Sequence, residues 1–464
     1  MNTSIDAHGM AHESALQERA AVVVDGQPGT LVRVGDVIDA RPMSRLQIGT
    51  VGLCMLVAVL DGFDTQAIGF LAPAISKSLG IALTQFGPVF TAGLLGLMAG
   101  AITLGPLADR FGRKKLLVLS TLGFGACAFL TAFAATLPEL LLLRFLTGIG
   151  LGGAMPNVVA LASEFSPRRH ARVCVTLLFC GMPAGAVAGG LISAALLPVY
   201  GWHAVFYVGG ALPAAVALVV LGWMPESVKY LIARGHDPAQ VRQTMLRIAP
   251  GLHSRSITFV DAERQYSGIP VRHLFTEGRA SKTVLLWIPY FMNLLVLYFI
   301  ISWLPAVLVL NGHSVAFGIE GITAFSVGGI VGSLVQGWLM NRHGVAPVLL
   351  AEFLVYAVLV VMLAVLPMSE AVLIAATFGA GAAVQGAQAG LNSLAAELYP
   401  TSMRATGVGW ALGVGRIGSV LGPAAGALML LHHWDARHIF LAGVVPGLVA
   451  AGAVLIASFN KAAS

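Results

Sequence analysis

Twelve runs of about twenty largely apolar residues recur along this 464-residue chain, each long enough to cross the hydrocarbon core of a bilayer as a helix. They lie near 48–74, 86–106, 116–134, 138–163, 172–198, 203–224, 283–310, 318–340, 346–367, 371–396, 405–431 and 438–458. No other feature constrains the fold as strongly. A backbone in lipid must satisfy its own polar groups, and a helix does so within one segment. Composition agrees, since only 10% of residues are charged, against about 25% in a soluble domain. The pattern predicts an all-α integral membrane protein with twelve transmembrane helices.

The one long polar insertion divides the spans six and six. The expected organisation is a tail over 1–45, a first half over 46–225, a central loop over 226–282, a second half over 283–460 and a short tail over 461–464. The net charge of +6 would on its own point to an acidic partner, but its placement points to membrane orientation. With the N-terminal side taken as inside, 23 of the 27 Lys and Arg residues fall on inside segments. Both termini are therefore expected in the cytoplasm, in a bacterial-type inner membrane, with no nucleic-acid partner. Cys54, Cys127, Cys174 and Cys180 sit in apolar runs without paired spacing, so they read as small hydrophobes. The polar first 45 residues lack an apolar signal region, and no cleaved peptide is expected.

The two halves are related. Gly105-Pro106-Leu107-Ala108-Asp109-Arg110-Phe111-Gly112 recurs in degraded form as Gly337-Trp338-Leu339-Met340-Asn341-Arg342-His343-Gly344, an offset of 232. Glu164-Phe165-Ser166-Pro167 recurs as Glu397-Leu398-Tyr399-Pro400, and Gly185 and Gly189 match Gly418 and Gly422, all at 233. Such agreement indicates a duplicated six-helix unit. Parallel repeats of this kind place a substrate site at their interface, near the midplane.

The run Gly105 to Lys115, between spans 2 and 3, resembles the signature of the major facilitator superfamily. Arg144-x-x-x-Gly148-x-Gly150 in span 4 and Pro225-Glu226-Ser227 after span 6 resemble two further motifs of that family. Asp61-Gly62-Phe63-Asp64 in span 1 is similar to a motif of the aromatic acid:proton symporters. Gly407-Val408-Gly409-Trp410 and Gly413-Val414-Gly415-Arg416, Leu274-Phe275 and Ser302-Trp303-Leu304-Pro305 also look like that group. The resemblance implies two pseudo-symmetric six-helix halves and proton-coupled uptake of an aromatic carboxylate, such as benzoate or a hydroxybenzoate, for catabolism. It implies that Asp109 holds a cytoplasmic gate, with Gly105, Arg110, Gly112 and Arg113 around it. Asn341 replaces the matching Asp of the second half, so the latch there is expected to be weaker.

The residues themselves support a transport site. A charge at bilayer depth is costly and marks a functional position by default. Asp61 lies about fifteen residues into span 1, roughly 22 Å along the helix, and Asp64 is one turn further on the same face. Two carboxylates in a low dielectric repel, so one of them readily takes a proton; a structural role for one Asp is the alternative. Arg416 is at mid-depth in span 11, where it calls for an anion, either a fixed carboxylate or the substrate's. Arg144 is nearer the outer end of span 4, and either couples or snorkels outward. Gln385, Gln388 and Asn392 form a polar stripe on span 10 that lines a cavity or binds neighbouring helices. Tyr290, Asn293 and Tyr298 of span 7 suit an aromatic ring, whereas Trp303 reads more readily as an interface anchor. Glu164 and Glu397, at matched inner ends of spans 4 and 10, are expected to pair with Arg168 and Arg404 as gate elements.

Other patterns are set aside. Gly148-Ile149-Gly150-Leu151-Gly152-Gly153 looks like a dinucleotide loop but sits inside a span with no preceding strand. Gly181-x-Pro183-x-Gly185 reads as a bend, and lacks the Gly-Pro order of drug antiporters. The twelve histidines form no ligand cluster, and neither metal, cofactor nor enzymatic nucleophile is expected. Another organic-anion symporter, a drug or metabolite antiporter, or a membrane sensor of aromatic acids are the competing functions. A monomer is expected, embedded in lipid, with a small aromatic carboxylate and protons as its ligands.

Overall fold

The structure is a computed structural model that describes residues 31–235, 238–250, 258–260, 271–276, 279–365, 369–399 and 404–462. Ten single spans and one double one cross the membrane. They are span 1 (Arg45–Leu79), span 2 (Phe86–Phe111), span 3 (Arg113–Thr131), span 4 (Leu137–Phe165), then span 7 (Ala280–Leu310) and span 8 (Val315–His343). Spans 9 (Val345–Val365), 10 (Glu370–Leu398), 11 (Arg404–Leu431) and 12 (Ala436–Ala462) complete the second half. Arg168–Trp223 is a 56-residue helical stretch, far too long for one crossing. Gly201 breaks it with φ 73° and ψ 179°, leaving span 5 over 168–200 and span 6 over 202–223.

Local chemistry sets the ends. Ser44 and Gln47 form a reciprocal capping box at the start of span 1, and the Gln47 amide donates to the Phe165 carbonyl at 2.7 Å, tying span 1 to the end of span 4. Gly112 and Gly344 end spans 2 and 8 with φ 105° and 86°, a backbone region open to glycine and strained for side chains. Their N–H groups donate to Ala108 and Met340 at 2.9 Å each, so the sequence repeat is also a repeat of turn geometry.

Packing repeats too. Spans 1 and 5 pair closely, as do spans 7 and 11; spans 2 and 4 answer to spans 8 and 10. A Cβ at Gly185 would strike the Val59 carbonyl, and one at Gly418 would strike that of Phe291, 232 positions along. Bare glycine surfaces let backbones approach where lipid offers no hydrophobic drive to hold helices together.

The halves meet away from the termini. Gly87 in the first turn of span 2 touches Ala427 near the end of span 11, and Gly190 of span 5 touches Thr323 of span 8. Phe90 sets its ring edge against Trp303, with centroids 5.2 Å apart and planes at 88°. We call the side carrying residues 31–45 the terminal face and the opposite side the far face. The bundle is closed at the far face.

The tail and central loop are more structured than a polar tail and insertion suggest. Strand β1 (Leu31–Arg33) pairs in parallel with β2 (Thr258–Val260). With α1 (Val34–Asp39), α2 (Val228–Ala233) and α3 (Pro238–Ile248) they form a small apolar layer under the first half. Val241, Thr244, Met245 and Ile248 supply the buried stripe of α3 at helical spacing. Asp39 accepts from the Arg168 backbone at 2.7 Å and from its side chain at 3.4 Å, fixing the tail to the start of span 5.

Candidate functional site

Span 1 carries both carboxylates inward, with Asp61 and Asp64 only 1% and 2% exposed. They face different partners. Arg144 reaches Asp64 with Nη1 at 3.3 and 3.4 Å, and its Nη2 donates to Thr131 at 2.9 Å and Thr147 at 3.2 Å. Its guanidinium lies 5.2 Å from the centre of the Phe206 ring. Arg144 is 3% exposed and does not snorkel: Asp64, two hydroxyls and an aromatic face meet its Nη atoms and its plane, while its Nε is buried without a partner among the described residues. Asp61 accepts from the Thr65 hydroxyl at 3.1 Å. Its other oxygen is buried with no hydrogen-bond partner among the described residues, and it lies within electrostatic reach of Arg416.

Across the interface, half-buried Arg416 donates from Nη1 to the Tyr298 hydroxyl at 3.1 Å. Tyr290 donates to Asn392 at 2.7 Å, and Asn293 to Gln388 at 3.0 Å and to the Val384 carbonyl at 3.2 Å. Gln385 donates to the Phe325 carbonyl of span 8 at 3.4 Å. The span-10 stripe therefore binds spans 7 and 8 while its three side chains stay half-exposed. Between the halves a cavity leaves about 500 Å³ free of protein atoms, part of it open to solvent. Asp64, Arg144, Thr65 and Thr147 line it from the first half, and Tyr298 and Ser302 from the second.

A second cluster sits at the terminal face. Arg113 pairs with Glu164, and Ser227 donates to the same carboxylate at 2.5 Å. Glu226 accepts from the backbone N–H of Lys114 and of Ser227, each at 2.9 Å, holding the first turn of span 3. Exposed Arg110 offers its carbonyl to Tyr230 at 3.2 Å, whereas a Cβ at Gly105 would meet only open space. The expected pairing of Glu164 with Arg168 is not what forms: Arg168 is drawn to Asp39 of the tail, and Glu164 to Arg113 at the start of neighbouring span 3. The side chains of Asp109, Glu397 and Arg404 lie outside the described residues.

Two residues escape the sequence reading. Trp303 is not an interface anchor; it is 1% exposed, and its indole donates to the Pro423 carbonyl at 2.9 Å. Glu352 of span 9 accepts from Gln336 of span 8 at 3.0 Å. A lone carboxylate inside the apolar run 346–367 was the signal that marks it.

The model of the Major Facilitator Superfamily matches residues 54–322 and 286–462. The chain belongs to this superfamily. Among members of the superfamily, it is 40% identical over 437 residues to the 4-hydroxybenzoate transporter PcaK of Pseudomonas putida, covering 92% of this chain and 96% of that one. It is 37% identical over 425 residues to a gallate transporter of Pseudomonas putida, covering 91% and 94%. A bacterial homologue of the human lysosomal transporter Spinster shares the facilitator fold with a TM-score of 0.68 at 18% identity, over 89% of this chain and 97% of that one. The protein is a multi-pass membrane transporter, not an enzyme.

Proposed function

We propose that this chain imports an aromatic carboxylate together with a proton, by alternating access across a bacterial inner membrane with both termini in the cytoplasm. The carrying observation is Arg416, a cation between the halves whose hydrogen bond goes to the neutral phenol of Tyr298. A permanent cation there suits the carboxylate of an incoming acid. Relatives named for 4-hydroxybenzoate and gallate transport support that substrate class. Asp64 is neutralised by Arg144, which leaves Asp61, with one oxygen unmatched and Arg416 in electrostatic reach, as the proton carrier. One proton with one monoanion moves no net charge, so the pH gradient drives accumulation. Closure at the far face makes this the cytoplasm-open state, and the halves rock about the midplane site, with the Arg113–Glu164–Ser227 cluster bracing the cytoplasmic end of the first half. A single chain supplies the cavity, the anion site and both carboxylates, which supports a monomeric transport unit.

The test is uptake of radiolabelled 4-hydroxybenzoate and benzoate into cells expressing the chain, with and without a protonophore. Saturable uptake that collapses with the protonophore is the expected result. Uptake that persists at full rate without a proton gradient refutes the coupling, and uptake of neither acid refutes the substrate class.

A further inference from the structure

Building on the aromatic-acid reading above, we infer that Ser302 is the specificity-determining residue that receives a ring hydroxyl para to the carboxylate. Most polar groups around the cavity are already engaged. Thr65 donates to Asp61 at 3.1 Å. Thr147 donates to the Leu143 carbonyl at 2.7 Å while accepting from Arg144. Tyr298 accepts from Arg416, which leaves its own O–H turned to the anion held there, and both Asp64 oxygens are met by Arg144. Ser302 lines the same cavity and is 6% exposed, and among the described residues its hydroxyl has no hydrogen-bond partner. A serine hydroxyl can donate and accept at once, as a phenol does.

Position then selects the ligand. Ser302 follows Tyr298 by four residues on span 7, one helical turn and about 6 Å along the axis, on the same face. That rise is close to the length of a benzene ring with its para substituents. Arg416 reaches this cavity through Tyr298, which lines it with Ser302, Ile68, Phe90 and Leu94; a carboxylate held at Arg416 and Tyr298 has that wall for its ring and Ser302 for its para position. Ser302 also lies where span 7 crosses span 1, since a Cβ at Gly69 would come within 3.6 Å of the Ser302 Cα. A hydroxyl bound there is read at the contact between the halves. An unsubstituted ring leaves Ser302 unmatched, which is how a site built around a hydroxyl discriminates.

The experiment measures KM for 4-hydroxybenzoate and benzoate in cells carrying the full chain as wild type, Ser302→Ala and Ser302→Thr, with membrane amounts equalised by immunoblot. We expect Ser302→Ala to raise the KM for 4-hydroxybenzoate about tenfold and to lower that for benzoate, and Ser302→Thr to keep the wild-type preference. An unchanged ratio, or an equal loss for both acids, overturns the assignment. Competition in the wild type gives a second reading independent of variant folding: 4-methylbenzoate, matched in size, should compete about tenfold less well than 4-hydroxybenzoate, and equal competition overturns the assignment. Wild-type cells that take up neither acid refute the aromatic-carboxylate reading on which this inference rests. Wild-type uptake with an unaltered preference in Ser302→Ala refutes Ser302 alone.

Discussion

Replacing Arg144 by Gln should destabilise the protein more than replacing Arg144 and Asp64 together. In the wild type the pair is 3% and 2% exposed, and its contacts are 3.3 and 3.4 Å. Gln at 144 cannot reach Asp64 with a charge, so the carboxylate stays buried without its counter-ion. Removing one member of a buried pair costs about 3 kcal/mol or more. At about 2 °C per kcal/mol, the response of a large domain, the unfolding midpoint in detergent should fall by about 6 °C. The double variant Arg144→Gln with Asp64→Asn removes both charges and keeps polar groups near Thr131 and Thr147, so it should recover at least half of that loss. The assay is a thermal melt of wild type, both single variants and the double in one detergent. Simple additivity, with the double losing the sum of the two singles, would refute the view that these charges stabilise each other.

Other outcomes follow from the same contacts. Asp61→Asn should abolish accumulation driven by an imposed pH gradient while sparing counterflow exchange of labelled for unlabelled substrate; intact accumulation would move the proton elsewhere. Gly112→Ala places a Cβ at φ 105° and 2.5 Å from the Glu226 carboxylate. It should cost about 1–2 kcal/mol from backbone strain and lower the transport rate, read as initial uptake per amount of protein. Glu226→Gln should relieve little of it, because the clash is steric rather than electrostatic.

Much of the scaffold was legible because lipid leaves a chain few choices. Twelve apolar runs dictate helices, and the recurrence at 232–233 residues reappears as matched turns at Gly112 and Gly344 and matched crossings at Gly185 and Gly418. Asp61, Asp64, Arg144 and Arg416 stood out for the same reason: an ionisable group in an apolar run is conspicuous in one dimension. Their pairings were not. Asp61 and Asp64 share a helix face, yet one meets Arg144 from span 4 and the other approaches Arg416 from span 11. Glu164 has Arg168 four residues away in sequence and binds Arg113 instead.

What the amino-acid order by itself determined is the membrane class, the duplication, the span boundaries to within a few residues and the four charges Asp61, Asp64, Arg144 and Arg416 inside spans. These depend on hydrophobicity and local backbone chemistry, which act over one or two helical turns. The tertiary structure alone decided which charge answers which, that Trp303 plugs the far face, that the span-10 amides tie spans 7 and 8, and that the tail pairs with the central loop. Contacts of this kind reach across the chain, as when Ser326 donates to Gln66, 260 positions away. They are selected by how helices cross, where a bare glycine surface or a single side-chain rotamer determines which partner comes within hydrogen-bond distance.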